Sequence, residues 1–235
     1  MTSETLENNQ IKMHDKIGKR YIELKKQGHV QKGCKPNKDG VANIKGYLSS
    51  NPKIMWILKE SYDLFNSGNP QGGGGTFDNK MFEDYWSQMW QCMAQINYAI
   101  HNNFNCLKQI DLKTAKEELK QIAYINVGKL PAFKTSSDSK LKKCYNDWKL
   151  ILKEQIKLYK PDVIIFGKTF IHFKEDPLFE NVFKITEKPM YTKNGQWFAY
   201  TYKTNNMILI DAYHPARKGK KYIINVIKAY QKARA

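Results

Sequence analysis

Four apolar runs of strand length, separated by longer amphipathic stretches, constrain this sequence more than anything else in it. They are Pro52-Lys53-Ile54-Met55-Trp56-Ile57-Leu58, Ile122-Ala123-Tyr124-Ile125-Asn126-Val127, Val163-Ile164-Ile165-Phe166-Gly167 and Met207 to Ile210. Their near-continuous apolar character suits strands covered on both faces, as in a parallel sheet. Helical spacing lies between and after them, over residues 80 to 101, 139 to 159 and 219 to 233, the last with Tyr222, Val226 and Tyr230 on one face. This alternation predicts an α/β fold: a three-layer α/β/α sandwich around a central, mainly parallel four-stranded sheet.

Outside that pattern, residues 10 to 27 carry Ile11, Met13, Ile17, Tyr21 and Leu24 at helical spacing, with Gly28 as a natural stop. Residues 28 to 46 mix Gly, Pro, Asn and Lys and read as a linker. The expected division is therefore an N-terminal helix and basic linker over 1–46 and an α/β domain over 47–235. Asn194-Gly195 between alternating arms predicts a hairpin over 191 to 202 that decorates a sheet edge. The run Gly72 to Gly75 reads as a flexible loop.

Charge narrows the partner. With 39 Lys+Arg against 22 Asp+Glu the formal net charge is +17, which points to a polyanion, and to nucleic acid first. No apolar run is long enough to span a bilayer, and the N-terminus lacks a basic and then apolar signal, so a cytoplasmic monomer without membrane contact is expected. Cys34, Cys92, Cys106 and Cys144 are scattered without a C-x-x-C pair, so reduced thiols and no metal or other cofactor are expected.

Polar residues follow the apolar runs, where open α/β sheets collect their ligands. Lys59-Glu60-Ser61-Tyr62 follows the first, Asn126 and then Gly128-Lys129-Leu130-Pro131 end the second, and Asp211-Ala212-Tyr213-His214-Pro215 follows the last. Arg217, Lys218, Lys220 and Lys221 come directly after His214 and are candidate phosphate contacts, as is Lys59. In order and spacing, Tyr124 to Pro131, Lys160 to Gly167 and Tyr213-His214-Pro215 resemble the uracil-DNA glycosylase superfamily over residues 50 to 230.

The resemblance implies roles residue by residue. Glu60 matches the group that handles the attacking water, and His214 the histidine that hydrogen-bonds the leaving base. Asn126 matches the asparagine that reads the pairing edge of the flipped base, and Tyr62 a tyrosine against the pyrimidine C5 edge. Phe77 is the candidate stacking aromatic, with Phe65 as the alternative. Lys59, Ser61 and Ala216 replace the glycine, proline and serine usual in these motifs, and Leu130 stands where the iron–sulfur branch has a cysteine, which sets that branch aside. The chemistry of the residues fits these roles. Breaking a base-to-sugar bond leaves positive character on the sugar and negative charge on the base, so an anion and a hydrogen-bond donor are needed on opposite sides.

The expected activity is hydrolysis of the N-glycosidic bond of an aberrant or modified pyrimidine in DNA, with a slight lean toward uracil. Excision of bulky modified cytosine, such as glucosylated hydroxymethylcytosine of phage DNA, is the close alternative. A noncatalytic nucleic-acid-binding protein is the third possibility.

Overall fold

The fold was analysed in a computed structural model, which describes residues 1–62, 72–73, 75–78, 86–104, 110–132 and 137–235. All four apolar runs form strands: β3 (Ile54–Tyr62), β5 (Ala123–Ala132), β6 (Val163–Gly167) and β9 (Ile208–Ala212). They lie side by side in the order β5-β3-β6-β9, each parallel to its neighbour. The sheet does not stop at four, however. β2 (Gly40–Val41) pairs antiparallel with β5, and β8 (Trp197–Lys203) and β7 (Met190–Asn194) continue antiparallel beyond β9. The result is a seven-stranded mixed sheet, β2-β5-β3-β6-β9-β8-β7, where a four-stranded one was expected. The difference arises because the hairpin around Asn194-Gly195 aligns its second arm with β9, Tyr200 opposite Asp211, and extends the sheet.

Strand alternation sends side chains to two separate cores. Ile54, Trp56 and Leu58 pack with α3 (Gln88–His101), α4 (Leu112–Lys120) and α8 (Lys220–Arg234). Met55 and Ile57 pack on the other face with α2 (Ile44–Ser49), α5 (Asp138–Tyr159), α6 (Ile171–Lys174) and α7 (Pro177–Glu180). Two short strands, β1 (Cys34–Lys35) and β4 (Gly72–Gly73), form a small parallel pair apart from the main sheet. Part of the tetraglycine is thus laced into backbone hydrogen bonds rather than forming a free loop.

The N-terminal helix α1 (Ser3–Lys26) starts earlier than its spacing suggested, because the Thr2 hydroxyl accepts the Thr5 N–H at 3.2 Å and caps it. Its buried stripe of Met13, Ile17 and Leu24 packs on Trp148 and Ile151 of α5. Gln10 both donates to Val41 O at 3.0 Å and accepts from Val41 N at 2.9 Å. The stretch read as a linker therefore carries a sheet strand, and residue 46 is not a packing boundary. Gly40 makes this docking feasible: a Cβ there would collide with the Tyr159 hydroxyl and lie 2.7 Å from Gln10 Oε1.

Two strands run further than their apolar cores. β3 includes Lys59 to Tyr62, and β5 continues through Pro131, so Glu60 and Asn126 lie within strands rather than after them. Pro131 is tolerated because β2 covers only Ala123 and Tyr124 of β5, which leaves the later residues of β5 at an edge of the sheet on that side. No helix among the described residues is long and apolar enough to cross a membrane.

Candidate active site

Because β5, β3, β6 and β9 are parallel, their C-terminal ends form one edge. Leu58 lies opposite Asn126, Glu60 opposite Gly128, and Gly167 opposite Ala212. The next described helices in sequence after β3 and β9 pack on one face of the sheet, and those after β5 and β6 on the other. Neighbouring strand ends thus part to opposite sides and open crevices between them.

One cavity of about 350 Å³ lies at this edge, lined by Asn126, Phe77, Tyr124, Asp39 and Ser61 among others. Phe77 stacks on Tyr124 with ring centroids 4.9 Å apart and planes at 24°, giving the cavity an aromatic wall. Phe77 is held there by backbone bonds to the supposed linker: Phe77 N donates to Lys38 O at 2.9 Å and Lys38 N to Gly75 O at 2.8 Å. Asn126 is 2% exposed. Its side chain opposes the rise that burial gives the Tyr124 phenol, while its Oδ1 has no hydrogen-bond partner among the described residues. Asn126 therefore offers an acceptor at the cavity.

Behind Asn126 lies a polar cluster that sequence reasoning missed. Asp39 accepts the Asn126 backbone N–H at 2.7 Å, the Lys129 ammonium at 2.7 and 2.9 Å, and Gln155 Nε2 at 2.8 Å. Gln155 Oε1 in turn accepts from Lys129 Nζ at 2.8 Å. Asp39 is 2% exposed and Lys129 fully buried. Burial pulls the Lys129 ammonium below the usual lysine range, and Asp39 opposes the shift. The one hint in the sequence was Gly40, since a glycine next to a lone acid in a lysine-rich stretch marks a place where backbone must come close.

Glu60 is buried beside this cavity but is not among the described residues that line it. Its charge helps to raise Tyr124 and, after burial itself, Cys144, whose thiol is pushed up to about 11. Gly128 makes room for it: a Cβ there would lie 3.2 Å from Glu60 Cβ. Tyr62 pairs with Ala132 through its backbone, while its side chain and Phe65 lie outside the described residues.

His214 lies two strands from Glu60, across β6, about 10 Å at roughly 4.8 Å per strand spacing. Gly167 ends β6 without a side chain between them. A Cβ on it would collide with Leu58 Cδ2 and lie 3.4 Å from His214 Cα, so the histidine turn rests on the glycine. The Ala216 N–H donates to His214 Nδ1 at 3.2 Å, which leaves the proton on Nε2. Burial, with the charges of Lys59 and Lys218 adding to it, lowers His214 to about 4.

A base whose folded pKa lies below its unfolded value binds fewer protons when folded. His214 therefore contributes stability above about pH 6.5 that is lost as the pH falls toward 4. In imidazole-region NMR spectra, His214 is expected to remain the neutral Nε2–H tautomer down to about pH 5. A titration midpoint at or above about pH 6 would overturn this assignment.

The expected phosphate contacts divide. Arg217, Lys220 and Lys221 are exposed. Lys218 is partly buried with its ammonium 4.2 Å from the Trp197 ring centroid. Lys59 is buried at 9% exposure and acts on His214 and His172 through its charge, so it is not a surface contact as expected. Arg217 and Lys168 both have left-handed backbones, φ 57° and 61°, at the ends of β9 and β6. Non-glycine residues pay about 1–3 kcal/mol for such conformations, which gather at functional sites.

No protein-family model and no curated protein matches the chain. The residues and their geometry therefore carry the functional reading alone. Among the described residues no group of three or more His, Cys, Asp or Glu side chains could hold a metal ion.

Proposed function

We propose that this protein is a monofunctional DNA glycosylase with a uracil-DNA glycosylase-like three-layer sandwich, acting as a monomer in the cytoplasm on a flipped-out aberrant or modified pyrimidine. The observation that carries the reading is the cavity at the strand ends. It has an aromatic wall, Phe77 on Tyr124, and an amide oxygen of Asn126 without a hydrogen-bond partner among the described residues. A base stacked against the aromatic wall would meet that oxygen with its pairing edge. To meet that oxygen the edge must bring a donor, which uracil has at N3–H and cytosine at its amine.

The reaction follows from the two groups flanking the end of β6. As the bond from C1′ to the base breaks, its electron pair leaves with the base and the sugar gains oxocarbenium character. The Glu60 carboxylate stabilises that cation and takes a proton from water, whose oxygen then bonds to C1′. His214 donates its Nε2–H to the oxygen of the departing anion; being neutral, it needs no protonation step near pH 7.

DNA single and double strands carrying uracil, hypoxanthine or modified cytosines, followed by alkaline cleavage of abasic sites, test the reading directly. An abasic product on a pyrimidine substrate supports it. Tight binding without product on any of them would leave the noncatalytic alternative. The cavity volume favours a second reading within the same chemistry. At about 350 Å³ it exceeds what the eight heavy atoms of uracil fill and lies within the range of small-molecule pockets, roughly 300–1,000 Å³. That surplus accommodates a bulky group on a modified cytosine, and excision of glucosylated hydroxymethylcytosine with none of uracil would select this reading.

The basic stretch after His214 supports an anionic partner. Lys220 and Lys221 open α8, where no side chain caps Gly219 and no acid sits in the first turn. Cations there oppose the helix dipole, at about 0.3–1 kcal/mol each, and a phosphate would reverse that cost. Neutralising Arg217, Lys220 and Lys221 together is expected to weaken binding to all sequences alike. The slope of log-affinity against log-salt should fall by roughly 0.9 for each duplex phosphate that these side chains would otherwise neutralise. An unchanged slope would place the DNA path elsewhere.

A further inference from the structure

The two strands added beyond β9 are covered unevenly: on the face away from α8, Tyr202 is buried on Phe170, while the aromatic residues before it lie open. α8 packs against β7 and β8, while on the opposite side Tyr191 and Tyr200 remain 44% and 38% exposed. Tyr191, Tyr200 and Asp211 are direct cross-strand partners and so share one face of the sheet. Phe198, paired with Lys193 one step along, completes an aromatic group: Tyr191 and Tyr200 lie 5.3 Å apart, Phe198 and Tyr200 5.9 Å, and Phe198 and Tyr213 4.9 Å. A cavity of about 230 Å³ opens here, lined by Phe198, Tyr200, Tyr213, Asp211, Ala212 and Lys168.

We propose that this cavity is a second nucleobase subsite, which takes an amine-bearing base elsewhere on the DNA strand that supplies the nucleotide being excised. The proposal rests on the glycosylase reading for its meaning, but not for its measurement. Aromatic rings on an uncovered sheet face are stacking platforms for unpaired bases, whose π-faces are all alike to them. Single-stranded nucleic acid is the occupant that the charges select. Exposed Lys168 lines the cavity, exposed Lys193 lies opposite Phe198 on β7, and the chain as a whole carries +17. Tyr213 ties the subsite to the reaction, because it is the residue before His214.

Asp211 supplies selectivity. It is recessed between the rings, and burial lifts its carboxyl to about 6, so it is ionised at neutral pH and accepts hydrogen bonds. A carboxylate at this depth accepts from the exocyclic amine of cytosine or adenine and repels the carbonyl oxygens of thymine. Lys168, strained at φ 61° and tied by its N–H to Ala212 O at 2.7 Å, places a cation beside the same base.

The test is a binding cycle, which needs no excision. A fluorescein-labelled short single strand carries 2′-fluoro-2′-deoxyuridine at its centre, and each flanking base is replaced in turn by an abasic tetrahydrofuran. For the wild-type protein, removing the base at one flanking position is expected to weaken binding about tenfold, within the range measured for stacking on aromatic side chains. Tyr200→Ala, at an exposed position, should weaken binding to the intact strand to a similar degree and become indifferent to the abasic substitution. Cytosine should bind better than thymine at that position, and Asp211→Asn should remove the preference. Additive effects of Tyr200→Ala and the abasic site, or no sensitive flanking position, would overturn the subsite. Coupling without any excision activity would uphold it while removing the catalytic reading.

Discussion

Replacing Glu60→Gln or His214→Ala is expected to slow single-turnover excision by about 100-fold or more, with DNA affinity little changed. The expectation follows from their placement on either side of β6. In the proposed reaction each meets a charge that exists only in the transition state, positive on the sugar and negative on the base, so neither would contribute much to binding the intact strand. Glutamine keeps the size of the buried Glu60 side chain but cannot take a proton from water. Alanine at 214 removes the Nε2–H donor, and the turn resting on Gly167 needs only the backbone. Rapid-quench assays at saturating protein give the rate, and fluorescence anisotropy gives the affinity. Wild-type rates in both variants, on a substrate the parent cleaves, would remove these residues from the chemistry.

The second large effect concerns stability. Asp39→Asn is expected to destabilise the fold by about 3–5 kcal/mol, because it leaves the fully buried Lys129 ammonium facing a neutral amide. Breaking a buried pair from one side costs far more than replacing both partners. The double variant Asp39→Asn with Lys129→Met should therefore recover much of the stability. Urea unfolding monitored by fluorescence checks both. A single variant within about 1 kcal/mol of the parent would mean that solvent reaches Lys129 more easily than its burial implies.

The parallel centre of the fold was legible because β3, β5, β6 and β9 are buried on both faces and so spell nearly unbroken apolar runs. The edges were not. β2 is only Gly40 and Val41, too short to carry a period, and β8 alternates as a solvent-facing hairpin does, although it lies inside the sheet. Asn126, singled out by motif, and Phe77, singled out by its place after the glycine run, share one cavity. Asp39 and Lys129 were not, since neither propensity nor spacing distinguishes a buried ion pair from two solvated charges. The reach of α1 was also hidden, because its buried stripe looks the same whether it meets its own domain or a partner.

The Asp39 cluster also fixes when the pocket can exist. Asp39 is separated from Asn126 by 87 residues, from Lys129 by 90 and from Gln155 by 116. Contacts so distant along the chain must close long loops and tend to form late in folding. During synthesis from the N-terminus, Asp39 waits for α5 to be made before its three partners can converge. Until then the cluster lacks Gln155, which bonds both Asp39 and Lys129. A chain not yet folded around Asp39 carries its basic charge but not the finished cavity. On the proposed function, Coulombic attraction to DNA would precede base recognition in the life of each molecule.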